Sequence, residues 1–256
     1  MTYVLRDNPG WDRIGDTWLR ATSSSGDGVV ILSGDTENMP DIDVFHAPAK
    51  WPSTMPQALA DALSSVGTVA RFATPSLWDA IATAIIRQVI RADQARLQHQ
   101  RFRRAYGPAV QTSVGVLYAL PSAETVAGLR REDFRRLGMA FKADALRNAA
   151  VAYLDQHAKW SELPSRRLVE ELQSIPRIGP WTAGAAVADH TNDWSLYPHG
   201  DLAVRTWART AAPGIAWPTT EPEFAGRWRT ITSHHLGLAT LFTLAWGARH
   251  AETAAP

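Results

Sequence analysis

Cysteine is absent from the 256 residues. That excludes disulfides, a catalytic thiol and an iron–sulfur cluster. Lysine is scarce: only Lys50, Lys142 and Lys159 occur, and every other basic side chain is an arginine. No apolar run reaches the roughly 18–20 residues needed to span a bilayer, and no basic-plus-apolar leader opens the chain. A soluble intracellular protein with no membrane partner is expected. An excess of charge of one sign is also missing. Lys and Arg number 26 against 25 Asp and Glu, a formal net charge of +1. The molecule is not globally basic, so any nucleic-acid surface must be local. What the chain does have is 45% hydrophobic residues, enough for a sizeable core in one large or two small domains.

The first 55 residues read differently from the rest. Thr17–Thr22 and Val29–Leu32 are short β-prone runs, with turn residues from Ser23 to Gly28 between them. A small antiparallel sheet is expected there. Pro40, Pro48, Pro52 and Pro56 suggest a linker. From about Met55 the pattern turns helical. Helices are expected over Gln57–Ser65, around Leu77, Ile81 and Ile85 with Ser76 as cap, and over Asp93–Tyr106. Leu146, Ala149, Ala150, Tyr153 and Leu154 space an amphipathic helix, as do Leu238, Leu241, Phe242, Ala245 and Trp246. The expected division is a β-rich region over 1–55, a helical core over 56–250 and an unstructured tail over 251–256.

One stretch stands apart. Leu168, Leu172 and Ile175 make an apolar helical stripe that Pro176 stops. Gly179 is expected to permit a tight reversal, and Pro180 suits the first turn of a second helix. Ala183, Gly184, Ala185, Ala186 and Ala188 make that helix small enough for close packing. This is a helix-hairpin-helix over 168–188. Exposed backbone N–H groups at such a hairpin hold a phosphate. A loop, Tyr197-Pro198-His199-Gly200-Asp201, follows and opens a helix expected over Leu202–Ala211.

The two segments together resemble the helix-hairpin-helix-GPD superfamily of DNA glycosylases, and most the alkylated-purine (3-methyladenine) branch. The family hairpin reads roughly Leu-Pro-Gly-Ile-Gly-Pro-Trp-Thr-Ala, against Ile175-Pro176-Arg177-Ile178-Gly179-Pro180-Trp181-Thr182-Ala183 here. Its loop reads roughly Phe-Pro-x-Gly-Asp-Leu, against Tyr197 to Leu202. Ala84–Ile90 and Leu137-Gly138-Met139 with Lys142-Ala143 resemble further family segments. The likeness covers roughly residues 70 to 250. It implies a mainly α, two-lobed helical fold with a small N-terminal antiparallel β region. It also implies a monomer acting on double-stranded DNA in the cytoplasm, associated with the nucleoid.

The resemblance implies roles for single residues. Asp201 would be the catalytic carboxylate, stabilising positive charge on the sugar and orienting a water. The bland alternative is that Asp201 is only a helix N-cap. Trp181 and Ala185 would line the base pocket; a core role for Trp181 is the alternative. Arg177, Ile178, Gly179, Trp181 and Thr182 would hold the DNA backbone. Gln88, Val89, Ile90 and Arg91 would form a wedge that fills the gap left by a flipped nucleotide, unless they are an ordinary turn. No cofactor is required, although the family's hairpin carbonyls hold a monovalent cation when DNA is bound. Members that also nick DNA carry a nucleophilic lysine where Trp181 stands, so hydrolysis without a strong lyase step is expected.

The chain departs from the pattern at three places. Arg177 and Arg87 replace glycines. If position 177 needs a positive φ, the arginine costs on the order of 1 kcal/mol. Ala185 stands where some alkylated-purine enzymes have an aromatic, which suggests a roomier pocket or a bulkier, hypermodified base. Arginine clusters at 87–104 and 130–136 suit either a phosphate backbone or solvated helix faces with acids such as Glu132 and Asp133. The histidine pairs lack zinc spacing, so no metal is expected. A non-catalytic DNA-binding module is the rival to an enzyme.

Overall fold

Residues 2–14, 17–22, 29–32, 42–112 and 115–254 are described by the computed structural model. The expected turn over Ser23–Gly28, and Pro40, lie outside them. The chain begins with strands β1 (Thr2–Val4), β2 (Trp11–Ile14), β3 (Thr17–Thr22), β4 (Val29–Leu32) and β5 (Ile42–His46). Helix α1 (Gln57–Ser64) and strand β6 (Thr68–Phe72) follow. Then come α2 (Leu77–Arg87), α3 (Ala92–Tyr106), β7 (Ala109–Thr112) and β8 (Gly115–Tyr118). Helices α4 (Ala123–Gly128), α5 (Arg131–Arg136), α6 (Ala143–Trp160), α7 (Ser165–Leu172) and α8 (Pro180–Thr191) complete the middle of the chain. The C-terminal part is α9 (Leu202–Ala211), α10 (Glu221–Thr232) and α11 (Leu236–Ala254).

The elements gather into two units, each built from separated segments. The first takes Met1–Asp7, Ile42–Phe72 and Asn192–Pro256; the second takes Asn8–Asp41 and Ala73–Thr191. The N-terminal 55 residues are therefore shared between them. In the first unit β6 is the central strand of a mixed sheet ordered β1-β6-β5. It runs parallel to β1, pairing Thr2 with Thr68, and antiparallel to β5, pairing Phe45 with Val69. Helix α1 packs on α9 and α11, so Leu59 and Leu63 are fully covered.

In the second unit the antiparallel sheet β2-β3-β4 bears out the expected pairing of the two β-prone runs. Helices α2 and α8 pack face to face. Both are apolar nearly all round and buried nearly all round, as such a composition requires. Ser76 caps α2 as expected, its Oγ accepting from Asp79 N at 3.2 Å. Ile81 and Ile85 are fully buried, each contributing about 1.5–3 kcal/mol of apolar burial.

Three expectations need correcting. The proline-marked stretch is not only a linker, because Ile42–His46 is a sheet strand. The chain beyond Met55 is not purely helical: β6 joins residue 2 to residue 68 across the sequence, and β7 and β8 form a hairpin. The C-terminal tail is shorter than expected, since α11 runs to Ala254.

Candidate nucleic-acid interface and catalytic carboxylate

The hairpin lies in the second unit. Helix α7 buries Leu168 and Leu172, and Ile175 and Ile178 anchor the turn at 4% exposure each. The left-handed residue of this turn is Arg177, at φ +72°. Gly179 is not left-handed, which corrects its expected role in the reversal. The reversal is made two residues earlier by a residue with a Cβ, at a cost of about 1–2 kcal/mol. At Gly179 a Cβ would meet nothing within 4 Å, so the backbone there faces open space. Gly179 O accepts the first α8 hydrogen bond, from Ala183 N at 3.1 Å. Pro180 has no N–H, so Gly179 and Thr182 carry first-turn donors with no intrahelical partner. That is the geometry that holds an anion. The Arg177 side chain is exposed and pairs with Asp144 at 3.8 Å.

The α2–α3 turn belongs to the same unit and is joined to the hairpin. Gln88 Nε2 donates to Thr182 Oγ1 at 2.7 Å and to Arg177 O at 3.3 Å. Gln88 is thus turned onto the hairpin in this structure. Val89 does project: it is 90% exposed and sits at φ +56°. A β-branched residue in that region is a true outlier, and such strain gathers at functional sites. Ile90 is half-buried. Arg91 is exposed, N-caps α3 and pairs with Asp93 at 2.9 Å.

Two further side chains, neither of them among the expected site residues, stand beside this turn. Lys142 is 3% exposed and donates Nζ to Gln88 O. Burial pushes its ammonium down to about 8. Phe141, the preceding residue in a 3-10 turn over Ala140–Lys142, is 70% exposed. An aromatic beside one of only three lysines was the available signal.

Trp181 is half-buried at the start of α8 and Thr182 is 3% exposed. Ala185 is 1% exposed, inside the close packing of α8. The arginine clusters divide. Arg103 is buried and bidentate to Asp12, at 2.9 and 3.0 Å, so it holds the core together. Arg130, Arg135 and Arg136 all pair with Glu132 or Asp133 on α5, the solvated-face alternative.

Asp201 lies in the first unit. It is the N-cap of α9, and its Oδ2 accepts from Ala203 N at 3.3 Å and from Tyr197 OH at 3.3 Å. The loop behind it is tightly held. Asp201 N donates to Pro198 O at 2.8 Å. At Gly200 a Cβ would come to 3.0 Å from Glu221 Cγ and 3.3 Å from Ala225 Cβ, so the loop lies close on α10. Tyr197 is 3% exposed, with its ring 5.0 Å from that of Trp194. The Arg71 guanidinium stacks on Trp194 at 4.6 Å and bonds Asn192 at 2.6 Å and Asp7 at 3.3 Å. His199 Nε2 accepts from Arg229 at 3.1 Å, and burial together with that guanidinium holds the imidazole below its usual range. The cap role of Asp201 is therefore real, and it orients a half-buried carboxylate.

No family model and no curated protein matches the sequence. Solved structures do. An 8-oxoguanine glycosylase/lyase from Clostridium acetobutylicum, crystallised with double-stranded DNA containing cytosine opposite 8-oxoG, is 14% identical with a TM-score of 0.69, over 96% of this chain and 90% of that one. A 3-methyladenine DNA glycosylase from Archaeoglobus fulgidus is 17% identical with a TM-score of 0.68, over 97% and 91%. A DNA-3-methyladenine glycosidase from Bacillus halodurans is 14% identical with a TM-score of 0.57, over 82% and 94%. At such identities the shared property is the fold, a mainly helical helix-hairpin-helix glycosylase architecture with small sheets.

Proposed function

We propose that this chain is a monofunctional DNA glycosylase. It flips a modified base out of duplex DNA and hydrolyses the base–sugar bond, leaving an abasic site. The observation that carries the reading is Asp201. Its carboxylate is held by Tyr197 OH and Ala203 N in a loop that lies close on α10 at Gly200. A carboxylate held in this way stabilises an oxocarbenium-like sugar without reorganising, and it orients the attacking water. The hairpin supports the reading, with first-turn donors at Gly179 and Thr182 for a backbone phosphate. So does Val89, an exposed apolar side chain of the kind that fills a vacated base step.

Release by water, without a strong lyase step, follows from Trp181 standing where a Schiff-base lysine would be needed. Alkylated purine is the proposed substrate class, from the hairpin and loop motifs. A bulkier or hypermodified base is the alternative within the same chemistry, motivated by the alanine at 185, which is 1% exposed. The enzyme is proposed to act as a monomer, with no cofactor beyond a monovalent cation at the DNA-bound hairpin. The test is mass-spectrometric detection of bases released from a panel of alkylated and otherwise modified duplexes. Wild type should release base and Asp201→Asn should not. Equal binding by both proteins with no base released by either would make the chain a DNA-binding module.

A further inference from the structure

Two loops of the second unit each hold a non-glycine residue in the left-handed region, Val89 at φ +56° and Arg177 at φ +72°. They are far apart in sequence, yet one side chain joins them. Gln88 leaves the end of α2 at φ −55°, ψ 131°, and Val89 follows it directly. Its amide reaches the hairpin twice, at Thr182 Oγ1 (2.7 Å) and at Arg177 O (3.3 Å). Its backbone carbonyl is held from the other side by the buried Lys142 Nζ. Gln88 is thus fixed at both its side chain and its main chain, immediately before the strained residue.

Thr182 gives this joint a direction. Its side chain is 3% exposed and its hydroxyl receives Gln88. Its backbone N–H belongs to the open first turn of α8, where an anion would dock. One residue therefore faces the phosphate site with its main chain and the α2–α3 turn with its side chain. A carboxamide suits the link, because it donates at once to a hydroxyl and to a carbonyl. A carboxylate of the same length cannot donate to Arg177 O.

We infer that Gln88 is a positioning strut coupling the hairpin to the Val89 turn, so that docking a backbone phosphate on α8 and driving Val89 into the duplex are one linked event. The inference rests on the base-flipping reading above. It adds a role for a residue that would contact no DNA itself.

The test uses the full chain and a duplex with a tetrahydrofuran abasic analogue opposite 2-aminopurine. This probe needs no knowledge of the excised base and no excision. Fluorescence of 2-aminopurine reports insertion next to it, and anisotropy reports binding. Gln88→Ala, Gln88→Glu and Thr182→Val should each lower the fluorescence response by about fivefold, the worth of one hydrogen bond. The double variant Gln88→Ala/Thr182→Val should be no worse than the worse single one, and Thr182→Ser should respond like wild type. Urea midpoints establish that each variant is folded, and Gln88→Glu stands in should Thr182→Val prove unstable. A wild-type response from Gln88→Ala, or losses that multiply in the double variant, would overturn the strut. If wild type binds this duplex with no change in 2-aminopurine signal, or does not bind it, the base-flipping reading itself falls and the strut with it.

Discussion

Tyr197 donates its phenol hydroxyl to Oδ2 of Asp201 at 3.3 Å, from a ring that is 3% exposed against Trp194. The family motif has phenylalanine at this place, so the hydroxyl is an addition of this chain. Tyr197→Phe keeps the ring and removes the donor. Turnover in base release should fall by about fivefold, while the Kd for duplex DNA stays within about twofold. Single-turnover kinetics beside a binding isotherm separates the two. Unchanged turnover would reduce the hydroxyl to packing.

Arg177 pulls stability and binding in opposite directions. Glycine at φ +72° is free of the Cβ clash, and the Asp144 contact at 3.8 Å is exposed and weak. Arg177→Gly should therefore stabilise the protein by about 0.5–1 kcal/mol in urea denaturation. It should also weaken DNA binding and make the slope of log K against log salt shallower by about 1. A salt titration that superimposes on wild type would remove the side chain from the phosphate site.

Val89 offers a similar contrast. At 90% exposure it has almost no packing to lose, so Val89→Gly should raise stability by about 1 kcal/mol. Base release from duplex should fall by about tenfold, equivalent to ~1.4 kcal/mol of lost wedge contact. Release from single-stranded DNA, where no step needs filling, should be unaffected. Equal losses on both substrates would argue against a wedge.

Lys142 predicts a pH signature. Its ammonium titrates near about 8 in the folded chain against 10.5 as a free side chain, because burial disfavours the charge. Between those values the unfolded chain binds more protons, so this group makes stability rise with pH. Below about 8 both states are charged and the burial penalty is fully present. Compared with Lys142→Met, wild type should gain about 1–3 kcal/mol between pH 7 and pH 10. Urea denaturation of both proteins at the two pH values measures the difference. Parallel profiles would mean that Lys142 reaches water in the folded state.

The helices were legible because their signals are local. Leu202–Ala211 carries its own cap and spacing, and its observed bounds match the expected ones. Strand β6 was not legible. Its residues Val69 to Phe72 are all buried, including Arg71, so no alternation marks it, and its partner β1 lies more than sixty residues earlier. At the candidate site, residue types were readable while conformations were not. The motif pointed to Gly179 as the reversal, but backbone torsion at Arg177 is visible only in three dimensions. The Gln88–Thr182 bond spans 94 residues, and no spacing rule reaches that far.

The interleaving of the two units has a consequence for biosynthesis. A ribosome that has released residues through Thr191 has supplied every segment of the second unit. At that moment the first unit has its three strands and α1, but neither α9 nor α11, on which Leu59 and Leu63 are covered. The nascent chain therefore carries a finished body tethered to an unfinished one with bare aliphatic side chains. Aggregation and chaperone capture should concentrate in that interval, and a stop codon placed before Leu202 should yield insoluble protein rather than a smaller working domain.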